Sequence, residues 1–396
     1  MKRPRESAVP PELAARATLA LWLALAVLVA ARGVCAFVPF MLAWGLNLLR
    51  FLPAWLGWST WAITAVTLVP PVARWLGPRC AAIGDFIGAR PVVAASIAGS
   101  LAAAAVVLAP DRVQLVGDYL HRLGAALRLD SPSLVMPQAL PLDLWLHHTL
   151  PRMVWKATGL DPNDWARVLG AMEAATLVAL GLAFARELGF RGIAAFAAAT
   201  IAGLTGVLGL CTGFAKAFTE TSILAAVIAV FGTRVARSGH GLLPVSIAIV
   251  IGLYSHRSAL GFLPALLATW FVWTRRHGLA AWTRPVPLLA LAMPLVVLVT
   301  MTPRIIAAVR SIDHVNFAPE GSGLAQLVIT ALRPEQLSNL VNVVIQISPV
   351  ALAVPPLAVM LLPALRRRPE ARVLFALALP LLALLFAVHP QQGVFL

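Results

Sequence analysis

The chain has 396 residues, 60% of them hydrophobic and 12% charged, with a mean hydropathy of +0.87 and a formal net charge of +15. A soluble domain carries roughly 25% charged residues, so this composition excludes an ordinary soluble enzyme. Nucleic-acid binding is excluded too, because the arginines sit at the ends of apolar blocks, where they act as topology signals and headgroup contacts.

The apolar blocks are long enough to cross a hydrocarbon core roughly 30 Å thick, and they lack the alternation of a membrane barrel. The predicted class is all-α, a polytopic transmembrane bundle of about eleven or twelve helices. Residues 1–16 carry Lys2, Arg3, Arg5 and Arg16 and read as a cytoplasmic start. Block 19–31 reads as a retained anchor, since no clear A-x-A cleavage site follows it. Blocks 34–56 and 58–73 hold Trp44, Trp55, Trp58 and Trp61. Trp favours the membrane interface, so part of 34–56 is expected to lie there. Residues 74–90, with Arg74, Arg79 and Arg90, read as a cytoplasmic loop.

From there spans alternate over 91–110, 165–185, 192–210, 218–237, 242–256, 258–274, 285–303, 337–364 and 373–389. The short Arg-rich connections all fall on one side, and two longer polar loops fall on the other. Three full crossings before Arg74 put residue 1 on the wrong side for its charge. One of the first blocks is therefore expected to be re-entrant or merged, or the N-terminus breaks the rule. Two regions result: N-terminal membrane segments over 1–90, and a core over 91–396 with outer loops 111–164 and 304–335. No repeat of fixed period is visible, and no inverted repeat of the kind transporters use.

The polar interval 115–152 is where chemistry concentrates. Asp118 lies just beyond an outward span end, where a carboxylate can accept a proton from a hydroxyl, orient it, or hold a divalent cation. On a helix starting here, His121 and Arg122 share its face, and Arg122 can bind a phosphate. Residues 137–150 read as a turn and an amphipathic helix lying flat on the outer interface, with Leu142, Trp145, Leu146 and Leu150 as its apolar stripe. Asp143 is its first-turn acid. His147 and His148 are adjacent and point to different faces, so no zinc site is predicted from them. Cys35, Cys80 and Cys211 are scattered, with no CxxC. Lys216 and Glu220 stand at i,i+4 on the outer end of a span. Glu173 should face the bundle interior and can share a polar cavity with them. His256 sits between two apolar blocks, more in keeping with a structural histidine than a catalytic one. Arg304, Arg310, Asp313, His314, Glu320 and Arg333 fill the second outer loop and are candidates for phosphate binding. Asn339 and Asn342 are placed to hydrogen-bond within the bundle. No Walker A, GxGxxG, GxSxG or HExxH stands in a credible context.

Over residues 91–396 the chain resembles the GT-C glycosyltransferase superfamily, in particular the bacterial dolichyl-phosphate-mannose and protein-mannosyltransferase-like type. Val116-Gly117-Asp118-Tyr119 resembles the first outer loop with its acid. Ala139 to His147, ALPLDLWLH, resembles the juxtamembrane "PLD…LH" helix. Gly213-Phe214 to Glu220 resembles a "GY-E" segment, and HRSALGFLP from His256 to Pro264 an "H…LLP" segment. Leu337 to Pro349 resembles a late span entry, with Asn339 in place of an Asp. His389-Pro390-Gln391-Gln392-Gly393 resembles the tail of the last helix.

The resemblance implies transfer of a sugar from a polyprenyl-phosphate donor in the membrane to a glycan, lipid or protein acceptor, on the outer face of the bacterial inner membrane. It makes Asp118 the catalytic acid that activates or positions the acceptor. His121, Arg122, His147, Glu220, His256 and Arg310 become the candidate substrate-binding residues. No cofactor is required, although a divalent cation is compatible with these acids. The alternative is a transporter or flippase of lipid-linked or small substrates, which calls for charges and broken helices at mid-membrane. Cysteines placed singly at 118 and 367 test the orientation: an impermeant maleimide added outside should label 118 and spare 367, and the reverse pattern overturns it.

Overall fold

The computed structural model describes residues 10–38, 45–47, 49–50, 52–108, 140–204, 206–211, 218–312, 334, 338, 341–342, 344–345, 354–365 and 368–388. Among them all regular structure is helical. The order is α1 (Pro11–Phe37), α2 (Ala54–Thr67), α3 (Pro70–Ala89), α4 (Pro91–Leu108), α5 (Pro141–Leu144), a π turn (Trp145–Thr149), α6 (Leu150–Thr158), α7 (Pro162–Glu187) and α8 (Gly192–Gly203). A 3-10 turn (Gly206–Cys211) leads to α9 (Phe218–Ser238) and α10 (Leu242–Ser255). A second 3-10 turn (Arg257–Phe262) precedes α11 (Leu263–His277). Then come α12 (Pro285–Ile312), α13 (Val354–Leu365) and α14 (Pro369–Val388).

Proline starts many of these helices. Pro at the first helical position has no N–H to leave unpaired, and its φ is already helical. Pro11, Pro70, Pro141 and Pro162 all do this. Among the described residues six helices are long and apolar enough to cross a membrane, and the pair α2–α3, bent by 89° at its break, makes a seventh if counted as one span. The protein is a multi-pass membrane protein. The shorter α10 is apolar too and is packed in the core through Val245, Ala248, Ile249 and Leu253.

The N-terminal region departs from the sequence reading in a specific way. Blocks 19–31 and the start of 34–56 merge into one helix, α1. Residues 74–90 are not a loop: nearly all of them lie in α3. The charges are tolerated because Arg74, Arg79 and Arg90 are exposed, with Arg79 lying 3.9 Å over the Trp75 ring. The opposite, small-residue face of α3 packs on α8, where a Cβ on Gly84 would come 1.7 Å from the Gly192 carbonyl oxygen. Asp85 Oδ1 accepts from Gly192 N–H at 3.0 Å and so satisfies the first turn of α8. Trp61 Nε1 donates to Val29 O and Trp22 Nε1 to Leu68 O, tying α1 to α2. Asn342, fully buried, accepts from Gly45 N–H at 2.7 Å through Oδ1 and donates to Ser338 O at 2.9 Å. This is the bundle hydrogen bonding expected for that asparagine.

The core is built by close helix approach, as small residues allow in a membrane. α4 lies along α7, with Gly99 against Ala175. α9 is central and touches α7, α10, α11 and α14. The arginine-bearing helix ends meet at one end of the bundle. Arg234 pairs with Glu187, Arg237 donates to the Glu187 carbonyl, and Arg276 donates to the Ala236 carbonyl. α12 continues to Ile312, so Arg304 and Arg310 lie on a helix, not in a loop. The run Ile305-Ile306-Ala307-Ala308-Val309 prolongs the apolar pattern past Pro303.

A Cβ on Gly170 of α7 would sit 1.8 Å from the Cys211 carbonyl oxygen. Neither backbone can move aside easily, so Gly170→Ala should destabilise by about 1–3 kcal/mol, the range for overpacking. The measurement is a thermal melt of detergent-solubilised protein, with Gly203→Ala, which meets no neighbour, as the control.

Candidate functional site

The segment after Leu140 is where polar side chains turn inward. Leu140 is buried in the main core with Ile228, Val245 and Phe262. It fixes the start of α5, and Pro141 opens the helix. One turn later the backbone widens into the π turn Trp145–Thr149. Such bulges recur at functional sites because they re-aim side chains. Here the wide turn lets two successive histidines face inward: His147 is 6% exposed and His148 3%. Asp143 is 2% exposed, while Trp145 and Met153 face out.

The sequence reading marks Leu142, Trp145, Leu146 and Leu150 as the apolar stripe of a helix on the outer interface; it is another face that the protein buries. The buried stripe is Asp143, His147, His148 and Pro151. Asp143 is therefore not a surface acid that merely starts a helix. Its Oδ1 is 2.9 Å from His147 Nδ1, an i,i+4 contact that fixes which way the ring faces.

The other ring nitrogen faces a different element. His147 Nε2 lies 2.9 Å from Glu220 Oε1, in the first turn of α9, with side-chain exposures of 3% and 13%. An acid in the first turn is favoured by the positive end of the helix dipole. Glu173 comes from α7, about three turns into it, and is 8% exposed. One ligand-type atom from each of His147, Glu173 and Glu220 lies within 4.8 Å of the others. The Oε1 of Glu173 has no hydrogen-bond partner. Four residues from three separated stretches thus meet in one buried polar cluster, formed by the middle of α7 and the first turn of α9, away from the Glu187–Arg234 pair.

Burial alone would lower the pKa of His147, but hydrogen bonds and charge from Asp143 and Glu220 outweigh it and hold the imidazole up at about 9. Chemically the cluster can hold a proton, polarise a phosphate oxygen or bind a cation. A groove of about 690 Å³ between α4 and α7 lies elsewhere; Arg186, Glu187 and Arg234 are on its lining and none of the cluster is.

Of the residues singled out from the sequence, His147 and Glu220 are brought together. Glu173 joins them, as expected for a shared polar cavity. Asp143 was missed as a member; its i,i+4 spacing to His147 was the available signal. His256 caps α10 and the following turn, with Nδ1 2.7 Å from Ser258 Oγ and accepting from Ser258 N–H at 3.2 Å. Asp118, His121, Arg122 and Lys216 lie outside the described residues, as does the side chain of Arg310. Compared with protein-family models, with curated proteins and with solved structures, the chain matches none.

The pKa of His147 sets a pH test. Because the folded value is raised, the stabilisation is complete below about 6.5 and is lost as pH rises through about 9. In chelator-treated protein the melting temperature should fall between pH 7 and pH 10 more steeply for wild type than for His147→Gln. Equal slopes would show that His147 carries no such charge.

Proposed function

We propose that the protein is a membrane glycosyltransferase that moves a sugar from a polyprenyl-phosphate donor to a hydroxyl acceptor on the outer face of the inner membrane. The observation that carries this reading is the buried Asp143–His147–Glu220–Glu173 cluster, set between the middle of α7 and the first turn of α9 and away from the arginine-rich helix ends. A hydrophobic carrier reaches such a site from the bilayer, so no nucleotide-binding domain is needed. The order of segments that resembles GT-C enzymes supports it, and three of the clustered residues, Asp143, His147 and Glu220, belong to those segments.

In the proposed reaction the acceptor oxygen attacks the anomeric carbon of the donor sugar. The bond from that carbon to the phosphate oxygen breaks, and polyprenyl phosphate leaves with the electron pair. The acceptor proton passes to a carboxylate, assigned to Asp118 on the resemblance. His147 has Nδ1 on Asp143 and Nε2 on Glu220, so its part in this reading is to position the acids on that side of the site. Positioning and one base suffice against a phosphate leaving group.

A second reading has an observation of its own. Glu173 lies well inside a candidate span, and an intramembrane acid is also what an ion-coupled transporter or flippase uses. The two are separated by reconstituting the protein in liposomes with a panel of polyprenyl-phosphate sugars. Transfer to an acceptor, reduced about 10²- to 10⁴-fold by Asp118→Asn as for loss of a general base, supports the enzyme. Carrier movement without transfer supports the alternative, and full transfer by Asp118→Asn at normal protein levels removes Asp118 from its role.

A further inference from the structure

We propose that His147, Glu173 and Glu220 form a binding site for one divalent cation of zinc's coordination class, with Asp143 as the carboxylate that orients the histidine. Binding by these side chains does not depend on the transfer reading.

Three observations converge. The first is the ligand set. A nitrogen and two carboxylate oxygens lie within 4.8 Å of one another, and zinc takes such donors at about 2.0–2.2 Å, which sets ligand atoms about 3.5 Å apart. The remaining gap is within the torsional reach of two flexible glutamate side chains. The second is the histidine's support. His147 Nδ1 is engaged by Asp143 at 2.9 Å, which leaves Nε2 as the atom facing Glu220. A carboxylate on the far nitrogen is the usual way a metal-binding histidine is held, fixing its tautomer and raising its basicity. The third is a buried acid with an unpartnered oxygen. Glu173 is 8% exposed and its Oε1 has no partner, although buried carboxylates are normally paired or bound to metal.

Charge favours the same occupant. With Asp143 counted, three carboxylates, a neutral His147 and one divalent ion leave a single negative charge, whereas three carboxylates beside one imidazolium leave two. Three protein ligands also leave a coordination position open, as in zinc sites that bind water or substrate. Under the transfer reading that position would take a phosphate oxygen of the donor.

The test uses the full chain in detergent, stripped with chelator, dialysed against Zn²⁺ and freed of unbound metal. Metal analysis should give one zinc per chain in wild type and none in the double variant Glu173→Gln/Glu220→Gln. Asp143→Asn should retain the stoichiometry with affinity weakened about 10- to 100-fold, the usual effect of losing a supporting carboxylate. Glu12→Gln, on the exposed first turn of α1, should bind as wild type does. If the double variant fails to fold, Co²⁺ loaded into wild type decides. Ligand-field bands of a low-coordinate nitrogen and oxygen site support the assignment. Thiolate charge-transfer bands, which would implicate a cysteine such as Cys211, overturn it. So does substoichiometric zinc in wild type, or one zinc retained by the double variant. Failure of any of these leaves the transferase assay, with chelator present, as a separate question.

Discussion

The structure is organised around two carboxylates, Glu173 and Glu220, brought close together where little water reaches them. Each would be costly there alone, and together they repel. What surrounds them offsets that cost. Glu220 sits at the positive end of the α9 dipole and beside the His147 imidazole. The imidazole is stabilised from behind by Asp143. The π turn that lets His147 and His148 both face inward is part of the same arrangement, since a regular helix would carry one of two adjacent side chains away from the interior. Apolar residues of the same volume would cost less in that place.

The bundle was legible in the sequence because its punctuation is chemical. Prolines mark helix starts, and arginines mark the ends that share one side. Spans 165–185, 218–237, 242–256 and 285–303 correspond to α7, α9, α10 and α12 within a few residues, except that α12 runs on to Ile312. The α3 segment was misread because charge density resembles a loop when the helix face is not considered. Its arginines lie on the exposed side, and the buried contact is made by glycines, which carry no hydrophobic signal.

The site was legible only in part, for a different reason. Apolar periodicity marks Leu142, Trp145, Leu146 and Leu150 as one stripe but does not say which face the protein buries; in a soluble domain it would be that stripe. In a membrane protein that rule can invert, since the apolar face is content against lipid and the polar face needs protein. Trp145 outward and Asp143 inward follow from that inversion. The i,i+4 relation of Asp143 to His147 was visible in the chain, but its meaning depended on Glu220 and Glu173, far away in sequence. Only packing brings those four residues together.

That packing has a register. α7 and α9 run in the same direction and lie in contact. At one end they are joined by Glu187 and Arg234. The interval from Glu173 to Glu187 equals the interval from Glu220 to Arg234, about 21 Å at helical rise. Levelling the ion pair therefore levels the two acids. Gly170, one turn before Glu173, lets the carbonyl of Cys211 press against α7 and so sets the approach of the chain that leads into α9. The ion pair at one end and the backbone contact near the other hold α9 against sliding or tilting along α7. A buried pair of acids needs that rigidity, because its separation decides whether the two charges share one occupant or only repel.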